Sequence, residues 1–304
     1  MKIILTTLLI LCSYWAANAW GNSGHMTSGA IAYYYLKEHN PDVIKKVLKT
    51  LENHPWYNAA EWTDKLAGLT AEEKEIALFM LASTFPDEAR KNPDLGGGEK
   101  TKWHYIDYPF VPVGESVKGE QPQSPNAEEK LNELFASFKG EAESSQKSQD
   151  LCWLFHLIQD IHQPLHTVSL FDANHPRGDK GGNDTYILLK EGNEPVKLHS
   201  YWDRLPTGTF KNIPTKAEAL LHKDEYQESK LSELNTNKTV HAWITKESVS
   251  IAIHDVYLNG KVKGTKDNPT PLDQSYIDSA KKISERRIVL SGIRLAQELI
   301  LLYS

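Results

Sequence analysis

Apolar residues along this chain recur mostly at the three-and-four spacing of helices, and only two short stretches alternate as strands do. A first helix runs through Ala30-Ile31-Ala32-Tyr33-Tyr34-Tyr35-Leu36 until Asn40-Pro41 interrupts it. A second covers Asp42 to Leu51 and a third Ala59 to Lys65. Thr70-Ala71-Glu72-Glu73 is an N-cap followed by early acids, and opens a helix that should end near Ser83. Residues 86 to 126 read as loop, with Gly96-Gly97-Gly98 and four prolines after position 108. Helices follow from Asn126 or Ala127 to Lys139 and from about Ser148 onward, the second closed by Pro164. Residues 171 to 183 are polar and glycine-rich. Thr185 to Leu189 and Glu194 to Leu198 flank Glu191-Gly192-Asn193 as the one candidate hairpin. Thr215 to Glu233, Val240 to Tyr257 and Leu272 to Leu302 complete the helices. With no internal repeat and no long linker, the pattern predicts one mostly α-helical domain of the all-α class with at most one small β-hairpin.

The first nineteen residues change that picture. Ile3 to Ala17 is a short apolar run behind Lys2, ending in Ala17-Asn18-Ala19, which reads as a secretory signal peptide cut before Trp20. The expectation is a leader at 1–19, a catalytic domain at 20–304, and a secreted or periplasmic location. Cleavage leaves 33 basic and 40 acidic side chains, a formal charge of −7, and one cysteine, Cys152. One cysteine makes no internal disulfide, so an exported domain needs another brace, and bound metal can be one. The acid balance argues against a protein that tracks duplex phosphates with a basic stripe.

The chemistry gathers around His156-Leu157-Ile158-Gln159-Asp160-Ile161-His162-Gln163-Pro164-Leu165-His166. His156 and Asp160 lie one helical turn apart on one face, and His166 projects beyond Pro164. His162 falls on another face and is the weaker ligand candidate. Such a His/Asp pair can grip one cation, but taken alone it is more often a buried histidine bonded to an acid. Further His and Asp residues widen the set. Asp87 follows Ala82-Ser83 at a helix end, with Arg90 three residues on. His104 sits in Trp103-His104-Tyr105-Ile106-Asp107. His199 and Asp203 repeat the one-turn spacing, and His25 comes five residues after Trp20. Nitrogen and oxygen ligands without cysteine are the mark of catalytic rather than structural zinc.

Six motifs in this order, W-x4-H, A-S-x-x-x-D-x-x-R, W-H-Y-I-D, H-x3-D-x5-H with Q-P-L-H, G-G-N-D and L-H-S-x-W-D, resemble the S1/P1 nucleases, which are zinc enzymes related in fold to zinc phospholipase C. The resemblance runs from Trp20 to at least Tyr257. It implies three Zn2+ ions. Asp87, His104, His156 and Asp160 would hold the first, and His166, His199 and Asp203 the second. The third would be held by His25, Asp160 and Trp20 through its freed amine and carbonyl. Asp160 would then bridge two ions. The same resemblance gives Arg90 to the phosphoryl transition state, Asn183 to the scissile phosphate, Tyr105 to base stacking and Asp107 to the base edge. It implies a metal-activated water that cleaves single-stranded DNA and RNA to 5′-phosphates, with 3′-nucleotides as small substrates, by a monomer not bound to membranes. Two departures stand out. The disulfides of fungal and plant members have no counterpart, and Thr84-Phe85-Pro86 replaces a tryptophan-containing segment. The Gly96–Gly98 loop is expected at the mouth of the site. A zinc phospholipase C would keep the metals but needs a lipid-binding surface. A non-catalytic metal-binding exported protein would have no use for Arg90.

Overall fold

The computed structural model describes residues 20–90, 100–140, 142–190 and 192–304. The expected leader at 1–19, the Gly96–Gly98 loop and Glu191 of the hairpin turn lie outside the described residues. Among those described, no helix is long and apolar enough to cross a membrane.

Helix α1 (Asn22–His39) is the central rod. Every residue from Thr27 to Leu36 is buried, so it is packed all round rather than on one stripe. Around it stand α2 (Pro41–Leu51), α4 (Ala71–Ala89), α6 (Ser145–Asp160), α8 (Ile213–Leu221) and the long α12 (Gln274–Tyr303). Short α3 (Ala60–Leu66) leans on α4, and α5 (Ala127–Phe138) on α6. The approach of α1 to α4 is close enough to need glycine. A Cβ on Gly29 would lie 2.3 Å from Ser83 Oγ and 2.7 Å from Phe79 O.

The capping signal at Thr70 is used. Its hydroxyl accepts from Glu73 N–H (3.4 Å) while Glu73 Oε2 accepts from Thr70 N–H (2.8 Å). The helix then runs past Ser83 to Ala89, straight through Pro86. Pro86 gives Ala82 O no partner, but tertiary packing carries the extra turn. Phe85 is buried edge-on against His54 and Trp56, with ring centroids 4.3 and 4.9 Å away. Asp87 and Arg90 thus share one helical end.

The stretch expected as one helix from Thr215 to Glu233 is instead α8, two 3-10 turns (Asp224–Tyr226, Glu228–Lys230) and α9 (Glu233–Thr236). Its buried anchors Leu221, Tyr226 and Leu231 are spaced by five, which no single helix face accommodates. Residues 240–256 form a continuous run, comprising α10 (Val240–Ala242), a π-helical stretch Trp243–Ser248, α11 (Val249–Ile251) and a second π stretch Ala252–Val256.

The hairpin exists, with β3 (Tyr186–Leu188) antiparallel to β4 (Val196–Lys197). Two additions extend the expected strand content. β5 (Thr270–Pro271) joins β3 in parallel, and β1 (Tyr108–Phe110) pairs in parallel with β2 (Val168–Leu170). The second pairing matters for the site. It lays the chain after His104 beside the chain after His166, and Ile106 N–H donates to His166 O at 2.8 Å.

Candidate metal centre

Six elements bring eight buried side chains to one end of the bundle. The last turn of α6 carries His156 and Asp160, with Nε2 3.1 Å from Oδ2. Asp87 comes from the last turn of α4, His104 from a 3-10 turn (Thr101–His104), and His25 from the first turn of α1. His166 ends the 3-10 turn that Pro164 opens, and His199 and Asp203 lie one turn apart on α7 (Leu198–Asp203).

Their ligand atoms form three groups. His104 Nδ1, His156 Nε2 and Asp160 Oδ2 are 2.9 to 3.1 Å from one another, and Asp87 Oδ1 lies 3.7 and 3.8 Å from the two histidines. The second group is His166, His199 and Asp203, with His199 Nε2 3.5 Å from Asp203 Oδ2. The third joins His25 to the other oxygen of Asp160, Nε2 to Oδ1 at 3.5 Å, with His156 shared. Asp160 therefore turns one oxygen to His25 and the other to His104 and His156. A tetrahedral ion with ligands at about 2.0–2.1 Å holds its ligand atoms roughly 3.3 Å apart, so these separations fit.

The ring orientations fit as well. His25 Nδ1 faces Gln159 Oε1 (2.6 Å), His156 Nδ1 faces Ser83 O (2.8 Å), His166 Nδ1 faces His104 O (2.8 Å) and His199 Nδ1 faces Gly181 O (2.6 Å). A carbonyl oxygen can only accept, so in each ring Nδ1 carries the proton and Nε2 keeps its lone pair. His104 is the exception and turns Nδ1 to the acids. His25 Nε2, His166 Nε2 and Asp160 Oδ1 are buried and make no hydrogen bond among the described residues, a state whose cost a cation removes.

Electrostatics agree. Burial pushes Asp160 up to about 7, against the opposing pull of His156, and drives Asp203 well above the carboxylate range. Burial lowers His25, His104 and His166 far below the usual imidazole value, and His199 to about 4. For His156 burial also lowers, but the charges of Asp160 and Asp87 outweigh it and the value rises. Burial thus keeps the imidazoles other than His156 neutral and leaves the acids short of the counter-charge that a divalent metal supplies.

Above this lies a cavity of about 360 Å3 lined by Arg90, His104, Tyr105, Asp107, His166, Lys180, Asn183 and His199 among others. Arg90 is ion-paired with Asp87 at 2.8 Å. A second hollow of about 190 Å3 shares Tyr105, Asp107 and Lys180 and adds Phe171 and Arg177. Asp107 is pushed up to about 6, by burial first and then by the charge of Asp179. Trp20 is buried, its indole donating to Gln159 O (3.1 Å), and Gly21 N–H donates to Asp203 O (2.9 Å). His162 is buried but stands outside the three groups.

Sequence reasoning missed Gln159 and Gln163, the second of which donates to Asp203 Oδ1 at 2.9 Å. It missed Gly181, whose carbonyl orients His199 and whose φ of +62° favours glycine. It also missed Phe171 and Lys180. The glutamines' only signal was their adjacency to candidate ligands, and the others had none beyond the glycine-rich stretch.

The S1/P1 Nuclease family model matches residues 20–304. Endonuclease 4 of Arabidopsis thaliana is 25% identical, over 100% of this chain and 94% of its own. Nuclease S1 of Aspergillus oryzae is 24% identical, over 94% and 92%. Endonuclease 3 of Arabidopsis thaliana is 23% identical, over 100% and 96%. The order of motifs, the helical bundle and the three buried His/Asp groups accord with these matches, and the chain belongs to the S1/P1 nuclease family.

Proposed function

We propose that the protein is a zinc-dependent phosphodiesterase that hydrolyses single-stranded DNA and RNA to 5′-phosphate products and removes phosphate from 3′-nucleotides. The observation that carries this reading is the meeting of three buried His/Asp groups beneath a cavity lined by Arg90, Tyr105, Asp107 and Asn183. Three Zn2+ ions are assigned as the motifs imply, with Trp20 contributing its amine and carbonyl once a leader is removed. Bound metal supplies Lewis acidity and a water acidified toward the nucleophile at neutral pH.

The chain's own groups do the rest. Arg90 neutralises charge building on the non-bridging phosphoryl oxygens. Its pairing with Asp87 holds the guanidinium over the first group. Asn183, whose amide donates to Lys180 O at 3.0 Å, is held by its own loop to face the phosphate. Tyr105 offers a face for one unpaired base, and Asp107 an acceptor for its edge. The bond between phosphorus and the 3′ oxygen breaks, the water oxygen stays on phosphorus, and the proton ends on the leaving 3′-hydroxyl. A base stacked in the second hollow must be out of a duplex, hence the single-strand preference. Export to the periplasm or exterior and a monomeric state complete the proposal.

The test is a side-by-side assay of the zinc-loaded protein on single-stranded DNA, RNA, 3′-AMP, duplex DNA and phosphatidylcholine. Cleavage of the first three is expected. Equal rates on duplex, or turnover of lipid alone, would overturn it.

A further inference from the structure

His162 lies in the middle of the ligand-bearing turn and binds nothing in the three groups, yet it is fully buried. Its Nε2 lies 2.7 Å from Arg294 NH1 and its Nδ1 2.6 Å from Ile158 O. Arginine only donates and a carbonyl only accepts, so the ring is locked as the neutral Nδ1–H tautomer with both nitrogens engaged. The same turn is held twice more from outside. Arg287 Nε donates to His162 O (3.1 Å), and Ser248 Oγ donates to Ile161 O (2.5 Å) while accepting from Arg287 NH2 (2.7 Å).

The two arginines converge on one carboxylate. Arg294 donates to both oxygens of Glu247, at 2.9 and 2.6 Å, and Arg287 also binds Glu247. Asn237 adds a further donor at 2.8 Å. Arg287, Arg294 and Glu247 are each at most 5% exposed. Two buried guanidiniums carry more N–H donors than one carboxylate can accept, so they need further acceptors. The acceptors supplied include His162 Nε2, His162 O and Ser248 Oγ. The guanidiniums reach His162, just past the C-terminal end of α6, where a helix dipole favours positive charge. Glu247 and Ser248 come from the π-helical stretch Trp243–Ser248, a form of helix that recurs at functional sites.

We propose that His162, Glu247, Arg287, Arg294 and Ser248 form a buried clamp that positions the Asp160–His166 turn, and that His162 is a positioning residue for the metal centre. The clamp acts on both ends of the turn. Asp160 precedes it and serves two groups. Gln163 follows His162 and ties Asp203 through its amide, and His166 closes the turn. Shifting this turn alters the spacing between groups rather than the ligands themselves. The inference rests on the metal-centre reading, not on the substrate assignment.

The experiment compares His162→Phe, which fills the space without either hydrogen bond, with His162→Gln, whose amide can donate to Ile158 O and accept from Arg294. Metal-free protein is titrated with Zn2+ against a chromophoric chelator, alongside circular dichroism and kinetics on a single-stranded oligonucleotide. His162→Phe is expected to lose about 10- to 100-fold in zinc affinity, with kcat falling and KM within about twofold. His162→Gln should restore most of both. Ser248→Ala, a milder change, should cost about fivefold in zinc affinity, the worth of one hydrogen bond, and carries the test if His162→Phe does not fold. Wild-type zinc affinity in the folded variants, with only a lower melting temperature, would reduce the clamp to structural packing and overturn the proposal. The zinc titration reads the same way whether or not any nucleic acid is cleaved.

Discussion

Asp160 is the residue on which the centre turns, because its two oxygens face different histidines. Asp160→Ala should therefore abolish activity by about 10³-fold or more and release more metal than loss of any other single ligand, as measured by metal content after dialysis. Arg90→Ala should lower kcat by about 10²- to 10³-fold, the usual effect of removing one transition-state donor, while metal content stays near wild type. Asp107 makes a pH-dependent prediction. Its carboxyl sits at about 6, so above that pH it is an ionised acceptor and below it a protonated one. KM for 3′-GMP, which presents base-edge donors, should rise as pH falls through about 6. Asp107→Asn should flatten that part of the profile when the two KM values are compared at each pH. At this scale the sequence was informative. The one-turn pairs His156/Asp160 and His199/Asp203 were legible from local spacing, whereas Asp87, His104 and Trp20 joined the ligand set only through the family resemblance. Gln159, Gln163 and Gly181 were illegible because their roles come from distant partners that no local pattern records.

Among the elements, helix existence was legible and helix ends were not. The capping box at Thr70 predicted the start of α4, but Pro86 did not stop it, since packing of Phe85 outweighed the missing hydrogen bond. The parallel pair β1/β2 escaped notice because three-residue strands leave no alternation to read. It is nonetheless what sets Tyr105 and Asp107 beside His166. The loop 179–185 offers a sharp test. A Cβ on Gly181 would lie 2.3 Å from Leu165 O, in a left-handed backbone conformation that side chains rarely adopt. Gly181→Ala should displace the carbonyl that orients His199. Weaker binding of the second metal and a lower melting temperature are expected, and unchanged zinc affinity would show that the carbonyl is not needed.

For the whole molecule, the bundle gathers the eight His and Asp candidates at one end, and that convergence could not be seen from spacing alone. Removing metal leaves the buried acids without a counter-charge. At metal concentrations of 100 times Kd, each site adds about 2.7 kcal/mol, so chelation should lower the melting temperature by several degrees per site. Excess Zn2+ should restore it, followed by calorimetry. Acidification should work in the same direction, because protons compete with metal for His25, His104, His166 and His199. The leader proposal has its own check. One extra residue before Trp20 should weaken the third metal and cut activity steeply, read by zinc titration and turnover of the same preparation.

The tie from Gly21 N–H to Asp203 O and the closeness of His104 to His156, 52 positions apart in the chain, have a bearing on kinetics. An ion held by these residues is a removable cross-link across long loops, worth about 3 to 5 kcal/mol by the loop-closure model for a covalent bridge. A chain whose one described cysteine, Cys152, is unpaired would thus replace permanent staples with ones that come and go with metal supply. Its lifetime against proteases would then vary with the local concentration of that metal.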